Sequence, residues 1–126
     1  MRFSMKRMAV AGIGATYLVS AAAFSHHSYA MFDNQKVVVL EGTIKDYQWT
    51  NPHAFVQVLV KDPASGSEVE WSIECGSPNG MIHRGWTAHS ANPGDKAVIE
   101  VHPLQDGRPG GSMITMTING HLFDRS

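Results

Sequence analysis

The sequence predicts a mainly β protein: a small five-stranded barrel of the OB type, with one short helix between strands 3 and 4. Two observations favour this class. Segments with the apolar alternation of β-strands occur in the order three strands, one helical segment and two strands. The first strand is long and contains Gly42, which indicates the bulge or sharp bend that lets a strand turn a barrel corner. A plain antiparallel sheet or a β-sandwich is the alternative.

The predicted strands are bounded by turn signals rich in Asn, Asp, Gly and Pro. We place them at 37–49, 54–61, 68–75, 96–102 and 113–118, with a short tail at 121–123. In the first strand the phase of Ile44 is opposite to that of Tyr47 and Trp49. In the third strand one face alternates toward the core, and we expect it to consist of Val69, Trp71, Ile73 and Cys75.

A short helix is predicted between the third and fourth strands. Ser77 is suited to the N-cap, and Pro78 fits the first helical position. Gly85 supplies the stop signal. The segment therefore predicts a helix of about two turns, followed directly by Trp86.

Residues 1–25 have the layout of a secretory signal peptide. A basic start at 2–7 is followed by an uncharged, apolar run at 8–23, and small residues then allow cleavage after Ala23 or after Ser25. A retained membrane anchor is the alternative, although the run is shorter than the roughly 20 apolar residues of a membrane span. We therefore expect a periplasmic or secreted protein without a membrane span after processing.

The processed chain is expected to consist of an N-terminal arm at 26–36 and an OB-like barrel domain at 37–123. It keeps seven Lys and Arg against eleven Asp and Glu, a formal net charge of −4. An acidic chain without a basic run is poorly suited to a phosphate backbone, so nucleic acid is not expected as a partner. Cys75 is the one cysteine, so no internal disulfide supports the fold and the core must do so.

Ordered motifs recur across nearly the whole processed chain. They are His26-His27-Ser28-Tyr29 with Phe32-Asp33, Leu40-Glu41-Gly42-Thr43, Trp49-Thr50-Asn51-Pro52-His53, Gly76-Ser77-Pro78-Asn79, Arg84-Gly85-Trp86 and Pro93-Gly94-Asp95. In these motifs the sequence resembles a family of small exported bacterial proteins designated domain of unknown function 6152. The resemblance implies a periplasmic or secreted location and brings no activity with it, so the chemistry must be argued from the side chains.

A metal site is the sharpest functional hypothesis. The sequence contains seven histidines, and cleavage after Ser25 would make His26 the first residue, followed by His27. A terminal histidine offers its α-amine and its imidazole to one ion, and nitrogen ligation of this kind suits copper, zinc or nickel, with a tetragonal set favouring Cu(II). His53 is the third predicted ligand, because its Asn-Pro turn places it at a barrel edge. Solvated histidines without a metal are the alternative.

An apolar rim around the same turn is the second hypothesis. Trp49, Asn51, Phe55 and Trp86 are the residues that we expect to line a small-ligand site there, with Glu74 as a further polar group. The alternative is that the aromatic rings pack the helix against the barrel. A third possibility is that the rim binds another periplasmic protein and holds no metal.

Catalysis has little support in the sequence. No nucleophile elbow, zinc-protease helix or phosphate-binding loop occurs, so no residue is predicted to be catalytic. The sequence thus predicts an exported, non-enzymatic binding protein for a small ligand, a metal ion such as copper, or a periplasmic protein.

Overall fold

A computed structural model of the chain describes residues 29–124. Their secondary structure consists of a 3-10 turn at Tyr29–Met31, six β-strands and one short α-helix. The strands are β1 Val38–Gln48, β2 Phe55–Lys61, β3 Glu68–Glu74, β4 Lys96–Pro103, β5 Gly110–Ile118 and β6 His121–Asp124; the helix α1, Pro78–Ile82, lies between β3 and β4.

The strands form one sheet that closes on itself. Their order is β3-β2-β1-β4-β5-β6, and a further parallel pairing between β3 and β5 joins the two sides. All other neighbours are antiparallel. This arrangement confirms the five-stranded OB-like barrel with its helix between strands 3 and 4. The predicted tail is a short sixth strand that pairs with β5 alone.

The first strand pairs with one neighbour along its first part and with another along its second part. This change of partner lets the sheet curve into a barrel. Val38–Thr43 pairs with β4, whereas Gly42–Gln48 pairs with β2. A Cβ atom on Gly42 would lie 2.9 Å from Cγ2 of Val58 and would also meet the β2 backbone. Glycine at this position therefore lets the two strands approach each other where β1 belongs to both pairings.

The bulge that Gly42 suggested lies elsewhere, because the pairing with β2 is regular at Gly42 and shifts between Ile44 and Asp46. An extra residue in one strand reverses the side-chain phase beyond it. Tyr47 and Trp49 are consequently packed against the same core as Ile44. The prediction that they lie on the opposite face was wrong for this reason.

The barrel interior is filled mainly by branched aliphatic residues and methionine. Buried side chains come from all six strands, among them Leu40, Ile44, Val56, Val58, Ile73, Ile99, Met116 and Phe123. Cys75 is also buried. Trp71 is only half-buried, although it packs against this core. Its strand phase was predicted correctly, but its side chain lies at the border of the core.

The start of the helix is as the sequence predicts, but the helix is shorter and its C-cap is His83. The side chain of Ser77 accepts a hydrogen bond from the backbone N–H of Gly80 (3.2 Å), and Pro78 begins the helix. Gly85 has a φ of +86°, which an L-residue rarely adopts, and the helix ends before it, at Ile82. No helix within residues 29–124 is long and apolar enough to cross a membrane.

Candidate functional site

The loop between β1 and β2 fixes His53 beside the end of β3. The hydroxyl of Thr50 donates a hydrogen bond to the carbonyl oxygen of His53 (3.0 Å). The next residue, Ala54, donates its N–H to Gly76 O (2.9 Å) and accepts from Cys75 N (2.8 Å). Backbone bonds on both sides of the strand end therefore hold the His53 side chain over the outer face of β3.

His53 and Glu74 form the one His–carboxylate pair found among the described residues. Nε2 of His53 lies 3.6 Å from Oε1 of Glu74. The side chains are 27% and 14% exposed, respectively, so the pair is sheltered but reachable from solvent. Nδ1 of His53 is buried and has no hydrogen-bond partner within residues 29–124. The imidazole is therefore positioned by packing and by Glu74, without a bond to its second nitrogen.

Two such groups can hold one cation, and their separation bears on its geometry. With metal–ligand distances of about 2.1 Å, two neighbouring ligands lie roughly 3.4 Å apart around a tetrahedral ion and about 3.0 Å apart around a square-planar one. The observed 3.6 Å between His53 Nε2 and Glu74 Oε1 is closer to the tetrahedral value. A tetragonal ion would require the carboxylate to move inward by roughly half an ångström.

A second polar pair continues the same outer face of β2 and β3. Nε2 of Gln57 donates to the hydroxyl of Ser72 (3.1 Å), and Phe55 is the direct neighbour of Glu74 across the two strands. In OB barrels the outer face of the second and third strands, with the loops after strands 1 and 4, is where ligands bind. His53 and Glu74 lie at one end of this face.

The predicted rim residues differ in how deeply they are buried. Asn51 is exposed, whereas Trp49 and Phe55 are half-buried. The ring of Trp49 contacts that of Tyr47 edge to face, with centroids 5.9 Å apart. Trp86 is 1% exposed, so its ring belongs to the core. This burial agrees with the alternative to a ligand site, in which the aromatic ring packs the helix region against the barrel.

Tyr47 connects the aromatic side chains at the end of β1 to the segment that follows α1. Its hydroxyl donates a hydrogen bond to the carbonyl oxygen of Thr87 (3.0 Å). Burial raises the pKa of Tyr47 above the ordinary tyrosine value, and the nearby Cys75 thiol adds to this effect because its thiolate would repel a phenolate. Tyr47 therefore acts as a neutral structural donor at physiological pH.

His26 and His27 lie outside the described residues, so their positions relative to His53 are not part of the structure. Within residues 29–124 no three metal-ligating side chains come together. The described part of the chain thus offers two ligands, His53 and Glu74, and a complete metal site would need others.

Glu74 is the residue whose importance sequence reasoning underestimated. The strand alternation placed it outward on β3, and a hairpin between β2 and β3 brings the end of β3 back to the start of β2. That reasoning would have put Glu74 beside His53. The sequence alone indicates Glu74 only as a further polar group, because its contact depends on the register of this hairpin.

The fold and the site define a small OB-type barrel with a sheltered imidazole–carboxylate pair at one end of the outer face of β2 and β3. The model of the family of unknown function DUF6152 matches residues 15–113, which is most of the chain. The chain belongs to that family. No curated protein and no solved structure matches it.

Proposed function

We propose that this chain is an exported, non-catalytic binding protein that holds a divalent metal ion, zinc or copper, through His53 and Glu74. The observation that carries the proposal is the 3.6 Å separation of Nε2 and Oε1, which suits two ligands of one ion. The remaining ligands in this proposal are His26 and His27 of the N-terminal arm. An export signal at 1–25 and a periplasmic or secreted location belong to the same proposal.

The point at which the arm joins the barrel bears on this ligand set. From Phe32 to β3, three steps separate neighbouring backbones: Phe32 to Leu104, Leu104 to Gly110, and Gly110 to Ser72. At about 5 Å a step this is about 15 Å across the strands, and Glu74 lies about 7 Å along β3, so the two are roughly 17 Å apart. An arm from Phe32 back to His26 can span roughly 16 Å. The proposal therefore requires an arm extended toward β3, with the imidazole side chain covering the remaining distance.

Protein binding by an aromatic rim has less support from the geometry. Tyr47 and Trp49 pack against the core, and Trp86 is buried within it. Interfaces draw their binding energy mainly from aromatic side chains that a partner can bury. Most of the surface of the rings around the Asn51 turn is already buried against the barrel, so little of it is left for a partner to bury.

The test is metal binding by the exported protein, purified without an affinity tag. Its intact mass first establishes whether cleavage leaves His26 at the N-terminus. Titrations with Zn(II) and Cu(II), followed by calorimetry, then compare the natural chain with His53→Ala and Glu74→Gln. We expect each substitution to weaken binding at least tenfold, and the better-bound ion to identify the metal.

His89→Ala is the matched control. His89 is exposed, and its hydrogen bonds use its backbone N–H and carbonyl only, so its removal should leave metal affinity unchanged. Unchanged affinity of His53→Ala for both ions would exclude the site. A loss seen equally in His89→Ala would show that the titration reports surface histidines.

A further inference from the structure

A second candidate site lies where β1 leaves β2. The two strands are paired up to Gly42 and Val60, and before Gly42 the first strand runs along β4 instead. The divergence leaves a cleft of about 740 Å³ between β1, the β2–β3 hairpin and the loop after β4. This site is separate from the His53–Glu74 pair, since none of its lining residues belongs to that pair or to the loop that carries it.

The walls of the cleft are apolar. They are formed by Val38, Leu40, Val60, Val69, Trp71 and Pro109. Of these, Val38, Val60, Val69 and Trp71 are only half-buried, so a large apolar surface faces the cleft without filling it. Trp71 is half-buried and lines this cleft, which is why the predicted core face of β3 is incompletely buried at this position.

The charges at the mouth indicate which ligands fit. Glu41 and Lys61 both line the cleft, and neither forms an ion pair with another residue in 29–124. Asp62 also lines it, but both of its carboxylate oxygens accept hydrogen bonds within its own turn. Two carboxylates and one ammonium leave the mouth with a formal charge of −1, which disfavours an anion, and the apolar walls disfavour a cation that would have to lose its water there.

We propose that this cleft binds an uncharged apolar small molecule, held between the valines of β1 to β3 and the side chain of Trp71. The volume is in the range of small-ligand pockets, about 300–1,000 Å³, and the mostly apolar lining is typical of them. A polar group at one end of such a ligand would lie at the mouth of the cleft, near solvent. This inference is independent of the proposed metal site.

The test uses the neutral fluorescent probe N-phenyl-1-naphthylamine and the exported protein. We expect saturable binding with one probe per chain and probe emission sensitised by tryptophan excitation, because Trp71 lies in the wall. Val39→Glu places a charge at the cleft, and since Val39 is 59% exposed the fold should tolerate it. We expect this variant to bind the probe at least tenfold more weakly.

Two further variants make the result interpretable. Leu122→Glu changes an exposed leucine of β6 that does not line the cleft, and it should bind the probe like the natural chain. Trp71→Phe should keep binding and lose most of the sensitised emission. The inference is overturned if binding does not saturate, if both glutamate variants weaken it equally, or if a charged analogue of the probe binds more tightly than the neutral one.

Discussion

The indole of Trp86 gives the sharpest test of how this barrel is stabilised. The side chain is 1% exposed and its ring lies 4.2 Å, between centroids, from that of Phe123. Its Nε1 is buried and has no hydrogen-bond partner among the described residues. Trp86 therefore combines a large favourable burial of apolar surface with one unsatisfied polar group.

Two substitutions separate these contributions. Trp86→Ala removes the ring and leaves a cavity, so it should lower the free energy of unfolding by about 3–5 kcal/mol. Trp86→Phe keeps most of the ring contact and removes the buried N–H, whose missing hydrogen bond costs about 1–3 kcal/mol. The loss of part of the indole is thus offset, and Trp86→Phe should cost less than about 1.5 kcal/mol.

Equilibrium urea unfolding followed by circular dichroism measures both values. Trp71→Ala serves as the comparison, since the half-buried Trp71 should cost less than Trp86 when truncated. If Trp86→Phe destabilises the chain as much as Trp86→Ala does, the indole N–H makes a strong hydrogen bond and the reasoning is refuted. An unchanged slope with urea in all variants is required for the comparison.

Three further predictions concern the backbone and the pH. Gly42→Ala should lower the free energy of unfolding by at least about 2 kcal/mol, because the new Cβ meets Val58 and the β2 backbone; urea midpoints measure this. Ser77→Ala removes the acceptor of the Gly80 N–H bond and should cost about 1 kcal/mol, whereas Ser77→Thr should retain most of the stability. The pKa of Tyr47 is raised on folding, so the folded chain keeps a proton that the unfolded chain releases above about pH 10. Its contribution is complete below that pH and falls as the pH rises, by up to about 1.4 kcal/mol per pH unit, and Tyr47→Phe should show a shallower decline between about pH 9 and pH 11; equal slopes in the two proteins would contradict the assignment.

The barrel class could be predicted because local signals agree with the global fold. Alternation identifies each strand, and Ser77 and Pro78 mark the helix start that separates β3 from β4. Which side chains in the second half of the first strand face the core could not be predicted, since the sequence does not reveal which residue is the extra one of the bulge. Gly42 looked like the bulge, yet the register shifts beyond Ile44.

The candidate site was predictable only in part. The Asn51 turn drew attention to His53, because turn residues at strand ends carry function more often than strand centres; whether His53 binds a ligand stays a prediction. Its partner Glu74 depends on hairpin register, and the burial of Trp86 depends on how the chain after α1 folds back over the barrel. The burial of Trp86 is a long-range outcome that spacing along the chain does not encode, whereas the contact of Glu74 follows from strand alternation once the hairpin register is fixed.

The parallel pairing that closes the barrel is short, joining only Ser72–Glu74 to Gly110–Ser112. His53 and Glu74 lie on one side of this seam, whereas the arm attaches through Leu104 on the other. In the proposed site, a metal ion bound by both the arm and the His53–Glu74 pair would cross-link the two sides of the seam and stabilise the closed barrel. Amide hydrogens along the seam would then exchange more slowly in the metal-loaded protein than in the metal-free protein, because the bound ion stabilises a closure that the backbone pairing already makes.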